Sequence, residues 1–175
     1  SIILIASFYT YSQFENKKKN KKLILKDNEE YNSNLLENIK YIAKDADGNE
    51  YIIYAEEGEI DLNNSDVIFL KNVRSFIRLK NSEEVNISSD FGKYNASNYN
   101  TIFSKNVVIT YLENKITGEY LDFSLLKNKM IVSRNVVFTN LDNILKADVI
   151  DLNIKTKDTK IFMYEENKKV NITNK

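Results

Sequence analysis

A strand-turn-strand unit returns four times along this chain, and that repetition restricts the fold more than any other feature. Each return is marked by a short apolar run after a polar turn: Val67-Ile68-Phe69-Leu70, Thr101-Ile102-Phe103, Met130-Ile131-Val132 and Lys160-Ile161-Phe162-Met163. Three of the four lead into the same step, Lys71-Asn72-Val73, Lys105-Asn106-Val107 and Arg134-Asn135-Val136. The landmark isoleucines Ile68, Ile102, Ile131 and Ile161 recur at roughly 30 residues, a period that belongs to stacked supersecondary units. A repeated β unit without a catalytic signature points to a scaffold or a carrier.

Alternation supports strands between the landmarks. Ile39, Tyr41 and Ala43 share a face, Asp45-Ala46-Asp47-Gly48-Asn49 turns, and Tyr51, Ile53 and Ala55 return, the pattern of a hairpin. The Asp-x-Asp-Gly opening lacks the later ligands of a calcium loop, so a turn is expected there and no metal site. Val73, Ser75, Ile77 and Leu79 share a face, as do Val85, Ile87 and Ser89; Val107, Ile109 and Tyr111; Val136 and Phe138; and Leu145, Ala147 and Val149. Asn-rich turns such as Asn63-Asn64-Ser65 suit the positive φ values of tight corners. The expected fold class is therefore all-β, with repeated antiparallel strands in an open β-jelly roll or sandwich.

The chain of 175 residues is long enough for one domain with a sizeable core, and its 42% hydrophobic content supports a folded globule. Lys and Arg (25) balance Asp and Glu (25), leaving no basic field to attract nucleic acid. His and Cys are absent, which excludes Ser-His-Asp, Cys-His and thiolate-metal chemistry. Carboxylate pairs such as Asp61/Asp66 and Asp148/Asp151 read as solvated strand or turn residues. No catalytic residue, metal ligand or cofactor is expected.

The first residues, Ser1-Ile2-Ile3-Leu4-Ile5-Ala6-Ser7-Phe8-Tyr9, are apolar and give way to Lys17-Lys18-Lys19-Asn20-Lys21-Lys22. Residues 1–15 read as a partial transmembrane anchor, a membrane-helix stub with Tyr9, Tyr11 and Phe14 at the interface. A signal-peptide core and a buried strand are the alternatives. The Lys cluster would, taken alone, favour the cytoplasmic side. Residues 16–38 read as a polar linker with one helical turn near Leu35-Leu36-Glu37, and residues 39–175 as the β domain.

The runs Asp47-Gly48-Asn49-Glu50-Tyr51-Ile52-Ile53-Tyr54-Ala55, Ile68-Phe69-Leu70-Lys71-Asn72-Val73 and Val85-Asn86-Ile87-Ser88-Ser89-Asp90-Phe91-Gly92-Lys93-Tyr94 resemble the LptC family of bacterial lipopolysaccharide export. The layout is similar as well: an N-terminal membrane helix, a linker and a periplasmic β-jelly roll. The resemblance implies a single-pass inner-membrane protein that takes lipopolysaccharide from an inner-membrane ABC transporter. It would hand the lipid to a periplasmic bridge protein through exposed strand edges. A soluble bridge of the related LptA type and a structural β-repeat domain without ligand remain the alternatives. Under this reading an apolar trough between splayed sheets holds the acyl chains of lipid A. Its candidate lining is Ile53, Ala55, Ile68, Leu70, Val73, Ile77, Leu79, Ile87, Ile102, Val107, Ile109, Val136, Phe138, Ala147 and Ile161, the same positions that form ordinary core in any β-sandwich. Ala55, Ser89 and Ala147 stand out as small residues at matching places.

Overall fold

The computed structural model describes residues 34–44, 48–80, 82–165, 167 and 169–174. The stretch read as anchor, and nearly all of that read as linker, lies outside the described residues. Ten strands follow one another: β1 (Leu35–Lys44), β2 (Glu50–Ile60), β3 (Val67–Arg78), β4 (Val85–Asn95), β5 (Thr101–Tyr111), β6 (Asn114–Ser124), β7 (Lys129–Thr139), β8 (Asn143–Asn153), β9 (Thr159–Phe162) and β10 (Asn171–Asn174). The first begins at Leu35, so Leu35-Leu36-Glu37 is strand and not a helical turn. Among the described residues there is no helix, and all pairings are antiparallel.

Strand order is consecutive from β1 to β8. Short β9 pairs the second half of β8 and β10 pairs its first half, so the two form a broken ninth rung. This is a meander; a Greek-key crossover, which defines a jelly roll in the strict sense, is not among the pairings. The reason is local. Turns such as Leu112-Glu113, closed by the Tyr111–Asn114 pair with Leu112 at φ 51°, return the chain at once to its neighbour.

The long strands break at mid-length, and on β3, β5 and β7 the break falls at the repeated basic-Asn-Val step. Asn38, Asn72, Asn106 and Asn135 all hold positive φ (49° to 53°) on the odd-numbered strands. Asn tolerates this left-handed conformation better than most side chains. Each of the last three donates from Nδ2 to an acid sixteen residues earlier on the preceding strand: Asn72 to Glu56 (2.7 Å), Asn106 to Asp90 (2.8 Å) and Asn135 to Glu119. On the fourth even strand, Asp148 accepts from the Tyr164 backbone N–H at 2.9 Å. The basic residue before the Asn turns outward. Lys71 pairs with Glu57 at 2.7 Å, Lys105 lies 5.1 Å over the Phe91 ring and Arg134 lies 5.5 Å over Tyr120. The valine after it turns inward, and Val73, Val107 and Val136 are all buried. One tripeptide thus fastens the outside, bends the strand and fills the inside.

The aligned breaks make a crease across the sheet. Small residues lie on its concave side: Ala55, Gly58, Ser89, Gly92, Gly118 and Ala147. A Cβ on Gly118 would meet Val132 Cγ1 at 2.8 Å, and one on Gly92 would meet Val73 Cγ2 at 3.1 Å. Folding at the crease brings the two halves of the sheet face to face. Tyr51 on β2 meets Phe123 on β6, with ring centroids 4.5 Å apart, although β2 pairs only with β1 and β3. Tyr41 on β1 stacks on Tyr94 of β4 at 4.8 Å. Between the halves lies one apolar core that includes Ile53, Leu70, Ile77, Phe103, Leu121 and Val132.

Candidate functional site

The space between the half-sheets is unequal along its length. Toward β1–β4 it is filled by the rings of Tyr41, Tyr51, Tyr94 and Phe123. The hydroxyls of Tyr51, Ser75 and Thr101 are buried there without partners in hydrogen-bonding geometry. Burial pushes the Tyr51, Tyr94 and Tyr41 phenols up from their ordinary value, since the charged phenolate would lose its water.

Toward β5–β9 the halves separate and leave a trough of about 370 Å³. One wall is built from the crease-to-end halves of β5–β8, with Ile109, Ile116, Phe138 and Leu145; the other comes from Met130, Ile150, Leu152, Ile154 and Ile161. Leu79, Val85 and Tyr111 close one end, and Ser82, Asn114, Asn153, Lys157 and Thr159 supply the polar lining. Among the described residues Lys157 is the one charged residue of this lining. Such a cavity has few polar groups to position a reacting molecule, and it rewards apolar chains at about 0.8 kcal/mol per buried CH₂. Its lining suits an apolar chain better than a polar ligand.

A family model described as lipopolysaccharide-assembly, LptC-related, matches residues 1–172. The chain belongs to the LptC family. Membership implies involvement in lipopolysaccharide transport and an envelope-associated role, and the family is a transport component and not known as an enzyme. No curated protein matches the chain. Among the described residues no His/Cys/Asp/Glu group could hold a metal ion, and no helix is long and apolar enough to cross a membrane.

Of the fifteen residues proposed from this LptC sequence, Leu79, Ile109, Phe138 and Ile161 line the trough. Ile53, Ala55, Ile68, Leu70, Val73, Ile77, Ile87, Val107, Val136 and Ala147 are buried in the core or along the crease, off the trough. Ile102 is a correction. It pairs with Lys93 and Asp122 on the outer face, while its neighbour Phe103 is fully buried. The cause is a bulge: β5 carries two positive-φ residues, Lys105 and Asn106, where β3 carries only Asn72. The step from Val107 back to the next inward position is therefore four residues (Phe103), against three from Val73 to Leu70. Ile131 is turned out by the same device at Arg134-Asn135, and Val132 takes the inside.

Sequence reading missed Ile116, Ile150, Leu152 and Lys157. Ile116 lies on β6, whose polar composition hides its inward set of Ile116, Gly118, Leu121 and Phe123. On β8 the expected face Leu145-Ala147-Val149 holds only as far as the crease, after which Ile150 and Leu152 take over, since Val132 pairs with Ile150 and Met130 with Leu152. The repeated sixteen-residue spacing of acid and Asn was the available signal for where the strands bend.

Proposed function

We propose that this protein is the membrane-anchored periplasmic adaptor of lipopolysaccharide export. In this role it accepts the lipid from an inner-membrane ABC transporter and passes it to a periplasmic bridge protein. The supporting observation is the trough at the β5–β9 end, apolar on both walls and open to solvent. At about 370 Å³ it lies near the small end of ligand cavities, which span about 300–1,000 Å³. It therefore takes part of a lipid A molecule, with sugars and phosphates outside. Among the described residues the sheet is open at both edges: β1 on one side, β9 and β10 on the other. Unpaired edges of this kind accept a further strand, which supports head-to-tail docking of transporter and bridge. Residues 1–15 would anchor the chain in the inner membrane, with the β domain in the periplasm.

The test is photo-crosslinking of the full chain to lipopolysaccharide, with a light-activated residue at Phe138 or Leu152 in the trough and at Ile53 in the packed end. An adduct at Phe138 and Leu152, competed by excess unlabelled lipid and absent at Ile53, is the expected result. Folded protein that yields no adduct from either trough position would remove the lipid site.

A further inference from the structure

Two turns of identical construction sit at opposite ends of the molecule and carry different residues at the same place. In the turn after β4, the Asn95 amide donates to the Asn100 carbonyl at 2.9 Å and the Tyr99 amide to the Asn95 carbonyl at 2.8 Å. After β8, the Asn153 amide donates to the Asp158 carbonyl at 2.9 Å and the Lys157 amide to the Asn153 carbonyl at 2.8 Å. In both, the Asn side chain accepts from two amides within the turn, and the fifth residue holds positive φ (Tyr99 60°, Lys157 63°). The fifth residue of the first turn is an aromatic ring packed on the core. In the second it is an ammonium group at the rim of the trough.

Lys157 does not stand alone there. Its Nζ lies 5.7 Å over the Tyr111 ring, and Tyr111 Oη lies 3.1 Å from Ser82 Oγ. The three come from different segments: the β8–β9 turn, the end of β5 and the β3–β4 connection. Among the described residues Lys157 makes no ion pair. The Tyr111 phenol is drawn below its ordinary value by the Ser82 hydroxyl first and then by Lys157, against the opposing push of desolvation and, last, of Glu83. Among the described residues the rim thus presents one positive charge outside any ion pair and two hydroxyls, beside an apolar lining that is otherwise uncharged.

We infer that Lys157, Tyr111 and Ser82 form an anion site that receives the phosphate of a lipid headgroup while the attached chain occupies the trough. This rests on the trough being a lipid site, as argued above. An ammonium supplies charge-assisted hydrogen bonds to phosphate oxygens, and the two hydroxyls add donors whose rotors can follow the ligand. The turn fixes the Lys157 backbone before any ligand arrives, so little of that binding is lost to ordering the loop. A cation beside aliphatic walls also disfavours a cationic amphiphile of the same chain length.

The test uses single-chain alkyl phosphate, with the alkyl alcohol and alkyl trimethylammonium of the same length as comparisons. Each is titrated calorimetrically into the full chain below its micelle concentration. The wild type is expected to bind the phosphate about tenfold more tightly than the alcohol, a preference lost in Lys157→Gln, kept in Lys157→Arg and reduced in Tyr111→Phe. The preference should also shrink at about 1 M salt, where the screening length is about 3 Å. Equal binding of phosphate and alcohol by the wild type, or a preference that survives Lys157→Gln, overturns the anion site and leaves the trough standing. Failure of all three amphiphiles to bind overturns both.

Discussion

The two ends of the folded sheet use the same strand architecture for opposite purposes. At the β1–β4 end, large rings from the facing halves meet, and the space closes. Tyr51, Tyr94 and Phe123 are nearly without solvent contact there. At the β5–β9 end the rows carry mainly Ile and Leu, with Met130, Phe138 and Tyr111, and the halves stand apart around about 370 Å³. The crease is common to both ends, with its Asn-acid bonds at β2–β3, β4–β5 and β6–β7. What differs is side-chain volume behind it. A closed end supplies stability and an open end supplies space, and one sheet holds both.

The sharpest way to break this contrast is to truncate one ring at each end. Phe123 is fully buried against Tyr51, so Phe123→Ala removes a close-packed ring and should cost about 3–5 kcal/mol. Phe138 borders the trough and is only half-buried, so Phe138→Ala should cost no more than about 2 kcal/mol, because part of the cavity it would create already exists. Urea midpoints at unchanged slope measure both. Equal losses would mean that the trough end is packed as tightly as the other.

Tyrosine titration separates the ends by another route. Phenols at the closed end are raised by burial, whereas Tyr111 at the trough rim is lowered. A raised phenol stays neutral in the folded state after its unfolded counterpart has begun to ionise near pH 10. Its contribution to stability is therefore complete below about pH 10 and lost as pH rises further toward the folded value. Tyr111 acts in the opposite sense and does not drive unfolding. The expected course is an early, non-cooperative rise in tyrosinate absorbance that is diminished in Tyr111→Phe, then a cooperative step together with loss of the fold. Tyr51→Phe should move that second step to higher pH. A single smooth titration with the fold intact would mean that Tyr51 and Tyr94 are open to water.

Much of this was legible in advance, and the failures have one cause. The all-β class, the antiparallel hairpins and the inward setting of Ile53, Val73, Ile77 and Ile87 follow from period-2 alternation, which backbone geometry enforces within any unbroken strand, while the LptC resemblance rested on the particular runs Asp47–Ala55, Ile68–Val73 and Val85–Tyr94. The basic-Asn-Val step was visible as a repeat, but its meaning as a bend was not, because an Asn at positive φ looks the same in sequence as an Asn in a turn. A strand that changes parity midway inverts every assignment on its far side. The face assigned to Val149 failed for that reason, whereas Ile102 failed for the converse one: the two-residue bulge at Lys105-Asn106 keeps Phe103 and Val107 on one face, so β5 holds its parity where β3 changes it. The trough itself was out of reach. Whether two inward faces touch depends on ring volume at residues such as Tyr51 and Phe123, which come together from strands that do not pair.

The crease offers the control for the end-to-end contrast, and the smallest effect. Asn72 on β3 backs the closed end and Asn135 on β7 backs the open one; each holds φ near 50° and donates to an exposed acid on the preceding strand. Alanine at either place must adopt the left-handed conformation without the side-chain bond, at about 1–2 kcal/mol. Glycine adopts it freely and forfeits mainly the exposed hydrogen bond, so Asn72→Gly and Asn135→Gly should cost about half as much as the alanines. The decisive comparison is between strands. If the crease serves both ends alike, the two alanine variants will agree within about 0.5 kcal/mol even though Phe123→Ala and Phe138→Ala differ by about 1 kcal/mol or more. Should Asn135→Ala instead cost far less than Asn72→Ala, the bend behind the trough would be held by something other than its Asn, and the open end would be a region of weaker folding as well as looser packing.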